Sequence, residues 1–209
     1  LLSHLTELRD RLLRALAAVL VVFLALTPFA RRIFTIVAQP LIDQLPAGST
    51  MIATQVASPF VTPIKTTFFA AVFIAMPVVL YQAWAFVAPG LYRREKRFAV
   101  PLLVSSVILF YVGAAFAYFL VFPTVFGFLT ATTPEGVTMM TDIASYLDFA
   151  LLTCFAFGAA FEVPIATVLL IGTGLLSAET LARQRSYVFL GAFVVAAVLT
   201  PPDVVSQIM

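Results

Sequence analysis

Residues 98–134 read FAVPLLVSSVILFYVGAAFAYFLVFPTVFGFLTATTP, without one charged side chain. A hydrocarbon core about 30 Å thick needs roughly 20 consecutive apolar residues in helical form to cross it. This stretch exceeds that length. Thr66 to Tyr92 is likewise uncharged, and Phe149 to Ala178 carries a single ionisable group, Glu162. Blocks of this kind, separated by short charged clusters, specify an all-α polytopic integral membrane protein.

Composition agrees. Hydrophobic residues make up 62% of the chain and charged residues 11%, against roughly 45–50% and 25% in soluble domains. A soluble protein of 209 residues has no interior large enough to hide so much apolar surface. Net charge is only +2, which argues against nucleic acid as a partner. The lone Cys154 lies within an apolar block and has no intrachain partner for a disulfide.

The pattern predicts spans over about 12–30, 65–88, 98–122, 146–171 and 186–200, with a sixth beginning at 204. The fifth, Ser186 to Thr200, is short for a full crossing at 1.5 Å per residue. Residues 31–64 are expected to form a loop with a short interfacial helix from Ile33 to Leu45. Pro46, Gly48, Pro59 and Pro63 break the rest of it into turns. Residues 123–145 are a second loop on that side, and 89–97 and 172–185 face the other. Pro28, Pro77, Pro101 and Pro164 fall within or at the ends of spans and tend to bend them. The chain lacks an initial Met and stops soon after Asp203, so it reads as a portion of a longer protein with the sixth span cut off.

Counting Lys and Arg by side orients the bundle. Arg9, Arg11 and Arg14 in the N-terminal stub join Arg93, Arg94, Lys96 and Arg97, and then Arg183 and Arg185. Only Arg31, Arg32 and Lys65 fall on the opposite side. The positive-inside rule therefore places the N-terminus in the cytoplasm. Tyr81, Trp84, Tyr92, Tyr146 and Tyr187 lie near span ends, as interfacial aromatic residues do.

Three features carry candidate chemistry. Glu162, in Phe161-Glu162-Val163-Pro164, is an ionisable group within a span, where insertion costs roughly 2.5–3.5 kcal/mol. Such a group serves a partner or a water-filled cavity, or else it rests on a backbone carbonyl freed by Pro164. Glu95 stands among four cations in Tyr92-Arg93-Arg94-Glu95-Lys96-Arg97. It either relieves their repulsion or accepts the paired hydrogen bonds of a guanidinium. In the stub, Glu7–Arg11 and Asp10–Arg14 are i,i+4 pairs worth a few tenths of a kcal/mol each. His4 lacks companion ligands, so no metal site follows. There is no phosphate-binding G-x-x-x-x-G-K-[ST] loop and no nucleophile–base constellation, so neither an enzyme nor a bound cofactor is expected.

Longer stretches add a resemblance. HLTELRDRLL at 4–13, QPLIDQLPAGSTMIATQVASPF at 39–60, YQAWAFVAPGLYRREKR at 81–97, FAYFLVFP at 116–123, FEVP at 161–164 and LTPPDVVSQ at 199–207 together cover the chain. The chain resembles the TatC family, multi-spanning core subunits of the twin-arginine protein translocase, most closely the proteobacterial members. The resemblance implies a six-span, curved helical bundle in the bacterial plasma (inner) membrane, with both ends cytoplasmic. It implies recognition of the Arg-Arg signal peptides of folded cargo and recruitment of TatA- and TatB-type single-span subunits. Export is then driven by the proton-motive force, within a larger complex holding several copies of the chain.

By resemblance, Glu95, Phe86, Glu7 and Arg9 form the signal-peptide patch. Glu162 matches the family's intramembrane glutamate, and Thr200 and Gln207 belong to a polar partner-docking patch on the fifth and sixth spans. Asp203 matches an outer-side aspartate, while Pro40 and Tyr118 match positions where alteration impairs transport. The runner-up from residues alone is a proton-coupled small-solute carrier with Glu162 as relay. No further ionisable group appears in the second, third or fifth span to continue such a relay.

Overall fold

The computed structural model describes residues 2–43, 51–87, 99–132, 140–172, 174, 177–187, 189–191 and 193. They are helical almost throughout. The helices are α1 (Leu2–Leu26), α2 (Ala30–Ile42), α3 (Ser58–Val87), α4 (Ala99–Phe116), α5 (Phe122–Thr132), α6 (Ile143–Phe161), α7 (Val163–Gly172) and the short α8 (Ala178–Arg183). Among the described residues, four stretches are long and apolar enough to cross a membrane: Leu5–Gln39, Ser58–Phe86, Val100–Thr132 and Ile143–Gly172.

Helix boundaries depart from the expected spans in a consistent direction: helix replaces loop. α1 passes through a single 3-10 turn at Thr27–Phe29 and continues directly as α2. Pro28 sits in that turn, where its missing N–H shortens the hydrogen-bonding pattern rather than ending the helix. Pro59 and Pro63 do not break the chain as the sequence suggests, because α3 starts before both. Pro59 occupies the first turn, whose N–H groups have no intrahelical acceptor in any helix. After Pro63 the hydroxyls of Thr66 and Thr67 donate to the carbonyls of Thr62 and Pro63 at 2.8 and 2.7 Å. The third apolar block extends to Thr132 instead of 122, as a π turn at Ala117–Val121 leads into α5. Pro123 falls just past the π turn, where the preceding Phe122 N–H still reaches back to the Ala117 carbonyl and the helix continues.

α3 packs antiparallel to α1 and to α4, and α4 antiparallel to α6, while α3 and α6 run parallel. α1 lies on α3 through Val19, Ala71 and Ala75, with the rings of Phe23 and Phe68 5.8 Å apart. α4 lies on α3 through Phe73 and Phe110, and the Tyr111 hydroxyl donates to the Phe73 carbonyl at 2.8 Å. α4 and α6 approach most closely. A Cβ on Gly113 would stand 2.5 Å from the Phe157 carbonyl oxygen, and one on Gly158 2.7 Å from the Phe110 ring. Lipid tails are as apolar as Leu, so the hydrophobic effect does not drive such helices together. Close backbone approach, dispersion and hydrogen bonds do.

At the end opposite the N-terminus, α2 packs on α5 and α6 around Ala38, Phe122, Phe126, Tyr146, Leu147, Ala150 and Leu151. The segment between α2 and α3 is fastened there. Ile52 donates to the Thr141 carbonyl at 3.1 Å and accepts from the Ile143 N–H at 2.9 Å. Much of the remaining apolar surface faces outward: Leu12, Val21, Leu24 and Phe119 are 66–74% exposed. Only a hydrocarbon solvent accommodates such a surface without cost.

Candidate functional site

The antiparallel register of α1 against α3 puts Phe86, near the end of α3, level with the first turns of α1. That end also carries Glu7 and Arg9, so three of the four residues that the resemblance assigns to peptide recognition lie at the same end of the bundle. The fourth, Glu95, lies outside the described residues, as do Thr200, Asp203 and Gln207.

Within the stub, Glu7 is already engaged. Arg11 Nε and Nη2 both donate to Glu7 Oε1, at 3.0 and 2.6 Å. The expected Asp10–Arg14 pair does not form. Arg9 Nε and Nη2 reach forward to Asp10 Oδ1 at 3.1 and 2.9 Å instead, over exposed side chains. Arg14 makes no ion pair among the described residues. Thr6, Glu7, Asp10, Arg11 and Arg14 line an open groove of about 510 Å³, in which two acidic acceptors are followed by two guanidinium donors.

Glu162 stands where α6 gives way to α7, with φ −76° and ψ −17°. Pro164 two residues later has no N–H for the Ala160 carbonyl, which explains a break at this point. One sequence-based alternative places the carboxyl on a freed carbonyl. Its partner is instead a side chain on the neighbouring helix: Ser106 Oγ donates to Glu162 Oε2 at 2.5 Å. Oε1 is buried without a hydrogen-bond partner. Ser106 is fully buried, seven residues into α4 and so about 10 Å from its start. Leu109, Val112, Ala160, Phe161 and Pro164 line an apolar cavity of about 460 Å³ beside the break. The Gly113–Phe157 approach is what brings α4 near enough for Ser106 to reach across.

The TatC family model, described as "Sec-independent protein translocase protein (TatC)", matches residues 3–209. The chain belongs to the TatC family. It is 61% identical over 207 residues to the Sec-independent protein translocase protein TatC of Azotobacter chroococcum mcd 1, covering 99% of this chain and 81% of that one. Against the TatC of Escherichia coli (strain K12) it is 60% identical, covering 99% and 80%. A solved structure, "Crystal Structure of Twin Arginine Translocase Receptor- TatC", superimposes with a TM-score of 0.85 at 38% identity, over 98% of this chain and 90% of the other. TatC proteins are integral to the bacterial inner membrane and work in a translocase complex with other subunits, in keeping with the four apolar helical stretches.

Four positions, in three contacts, escape a reading of the sequence alone. Ser106 has one available signal, a polar pair Ser105-Ser106 in an otherwise apolar block. Asp142 caps α6 and also holds the 51–57 segment. Its Oδ1 accepts from the Thr54 N–H and hydroxyl at 3.0 and 2.9 Å, and its Oδ2 from the Ser145 N–H and hydroxyl, both at 3.0 Å. The Thr54 N–H above all, then the Ser145 N–H and the hydroxyls, hold this carboxyl far below the usual carboxylate range. Lys65 and Asp148 join α3 to α6 at 2.5 Å. Tyr118, assigned by resemblance, donates to the Ile36 carbonyl at 2.9 Å, and Pro40 falls within α2.

Proposed function

We propose that this chain is the signal-peptide receptor and core subunit of a twin-arginine translocase, with the end bearing Glu7, Arg9 and Phe86 facing the cytoplasm. The geometry at Glu7 is the main support. A guanidinium already donates through both Nε and Nη2 to one carboxylate oxygen, Oε1, which leaves Oε2 open to a second N–H of a signal-peptide arginine. A visiting Arg-Arg pair displaces Arg11 from Glu7 and takes Glu95 as its second acceptor, with Phe86 supplying apolar contact beside them. Each charge-assisted hydrogen bond contributes about 1.5–3 kcal/mol. The Lys and Arg asymmetry of the loops supports this orientation.

Glu162 serves assembly in this reading. Its Oε1 has no acceptor role filled, and it lies beside an apolar cavity suited to a single-span helix. Partner subunits of the TatA and TatB type dock there and on the fifth and sixth spans, to which the family resemblance assigns Thr200 and Gln207. Pro40, Tyr118 and Asp203 support the opposite, outer end. Among the described residues no second ionisable side chain bonds Glu162, so a proton relay finds no support.

The test is retention of a signal peptide by the membrane-embedded protein, with its Arg-Arg pair intact or changed to Lys-Lys. Selective retention of the Arg-Arg form, lost in Glu95→Ala, is the expected result. Equal retention of both peptides would refute the receptor role.

A further inference from the structure

Pro40 and Tyr118 stand far apart in the chain, yet they meet at one backbone atom. In a regular α-helix the N–H of residue 40 would donate to the carbonyl of residue 36. Pro40 has no N–H, so within α2 the Ile36 oxygen lacks that donor. The Tyr118 hydroxyl supplies it instead, at 2.9 Å. The next carbonyl along, that of Val37, accepts from the Tyr146 hydroxyl at 3.3 Å. Two successive carbonyls on one face of α2 thus receive hydroxyls from two other helices.

The delivery of Tyr118 is itself built. It is the second residue of the π turn Ala117–Val121, and a π turn inserts an extra residue that re-aims side chains relative to the helix before it. Its ring is held against Phe119 and Phe122, with centroids 5.0 and 6.1 Å apart. Two local irregularities, a proline in one helix and a π turn in another, are complementary. One opens an acceptor, and the other brings the donor.

We infer that Pro40 and Tyr118 act as a single unit that ties α2 to the third apolar helix. Tyr118 is a positioning residue: its hydroxyl acts on α2 through the Ile36 carbonyl. The consequence is a specific non-additivity. Tyr118→Phe removes the side-chain donor that stands in for the missing N–H of residue 40, whereas Pro40→Ala restores the intrahelical N–H and makes the hydroxyl dispensable.

The experiment compares the full-length protein in lipid nanodiscs as wild type, Tyr118→Phe, Pro40→Ala and the double variant, by amide hydrogen exchange over residues 34–43. Tyr118→Phe speeds exchange by about 3- to 20-fold, the range set by interhelical hydrogen bonds in membranes. In the Pro40→Ala background the same change alters exchange by less than about twofold, and the amide gained at position 40 is protected. Export of a folded Arg-Arg reporter follows the same order, the double variant exceeding Tyr118→Phe alone. Equal losses from Tyr118→Phe in both backgrounds would overturn the inference, as would wild-type exchange in Tyr118→Phe. The exchange readout does not depend on peptide recognition, so failure here is separable from failure of the receptor reading.

Discussion

Ser106→Ala removes the one hydroxyl that meets Glu162 among the described residues. The serine is fully buried and its oxygen lies 2.5 Å from Oε2, so neither water nor a neighbouring side chain replaces it without rearrangement. Glu162 Oε1 already has no partner, and the variant leaves both oxygens bare. Hydrogen bonds between helices within membranes average about 0.6 kcal/mol and reach about 1.7 kcal/mol. Loss of the last partner places Ser106→Ala toward the upper figure. A double-mutant cycle with Glu162→Ala isolates the pair, because Glu162→Ala removes the group whose desolvation is left uncompensated. Reversible unfolding in detergent should give a coupling energy of about 1–1.7 kcal/mol, with the double variant no less stable than Glu162→Ala alone. Strictly additive losses would show that Ser106 and Glu162 do not interact. Signal-peptide retention should be unchanged in all three variants, since the pair lies within the helical layer and away from the stub groove.

Other outcomes follow from the same geometry. Gly113→Ala forces a methyl to within 2.5 Å of the Phe157 carbonyl oxygen, which cannot rotate away. Overpacking of this kind costs about 1–3 kcal/mol, read as a lower midpoint for unfolding in detergent, whereas Gly127→Ala, with open space around it, should be neutral. Asp142 has a depressed folded-state pKa, so its stabilisation is complete above the ordinary carboxylate range near 4 and fades as pH falls below it. Amides of residues 51–57 should therefore exchange at a protection independent of pH from about 5 to 8 and lose it progressively below about 4. Asp142→Asn should flatten that acid dependence. Glu162→Ala should lower export or co-purification of single-span partners while leaving peptide retention intact.

Much of this architecture is legible from where charges are missing. The uncharged stretches at 66–92 and 98–134 and the near-uncharged one at 149–178 fall on the three long helical stretches after α1–α2. Apolar blocks say little about where helix ends, however, and proline is easily over-read as a breaker. Pro59 sits in the first turn of α3, whereas Pro63 and Pro123 lie within continuing helix, and only tertiary context distinguishes these from true breaks. Glu162 announces itself as a lone ionisable group in a span. Its partner Ser106 does not, because a serine in an apolar helix commonly bonds its own backbone. The Glu7–Arg11 pair follows from i,i+4 spacing, whereas the turn of Arg9 toward Asp10 is a side-chain choice that spacing does not determine. The meeting of Tyr118 with Ile36 depends on a π turn, for which no periodicity in 117–121 gives notice.

The most direct measurement places a photo-crosslinking side chain at position 8 or 94, beside Glu7 and Glu95 and leaving both carboxylates in place, in inverted inner-membrane vesicles and adds an Arg-Arg signal peptide from the exposed cytoplasmic face. The peptide should crosslink at both positions, and a Lys-Lys peptide should crosslink at neither. Crosslinking only when peptide is supplied from the opposite face, or equally with both peptides, would contradict the receptor account.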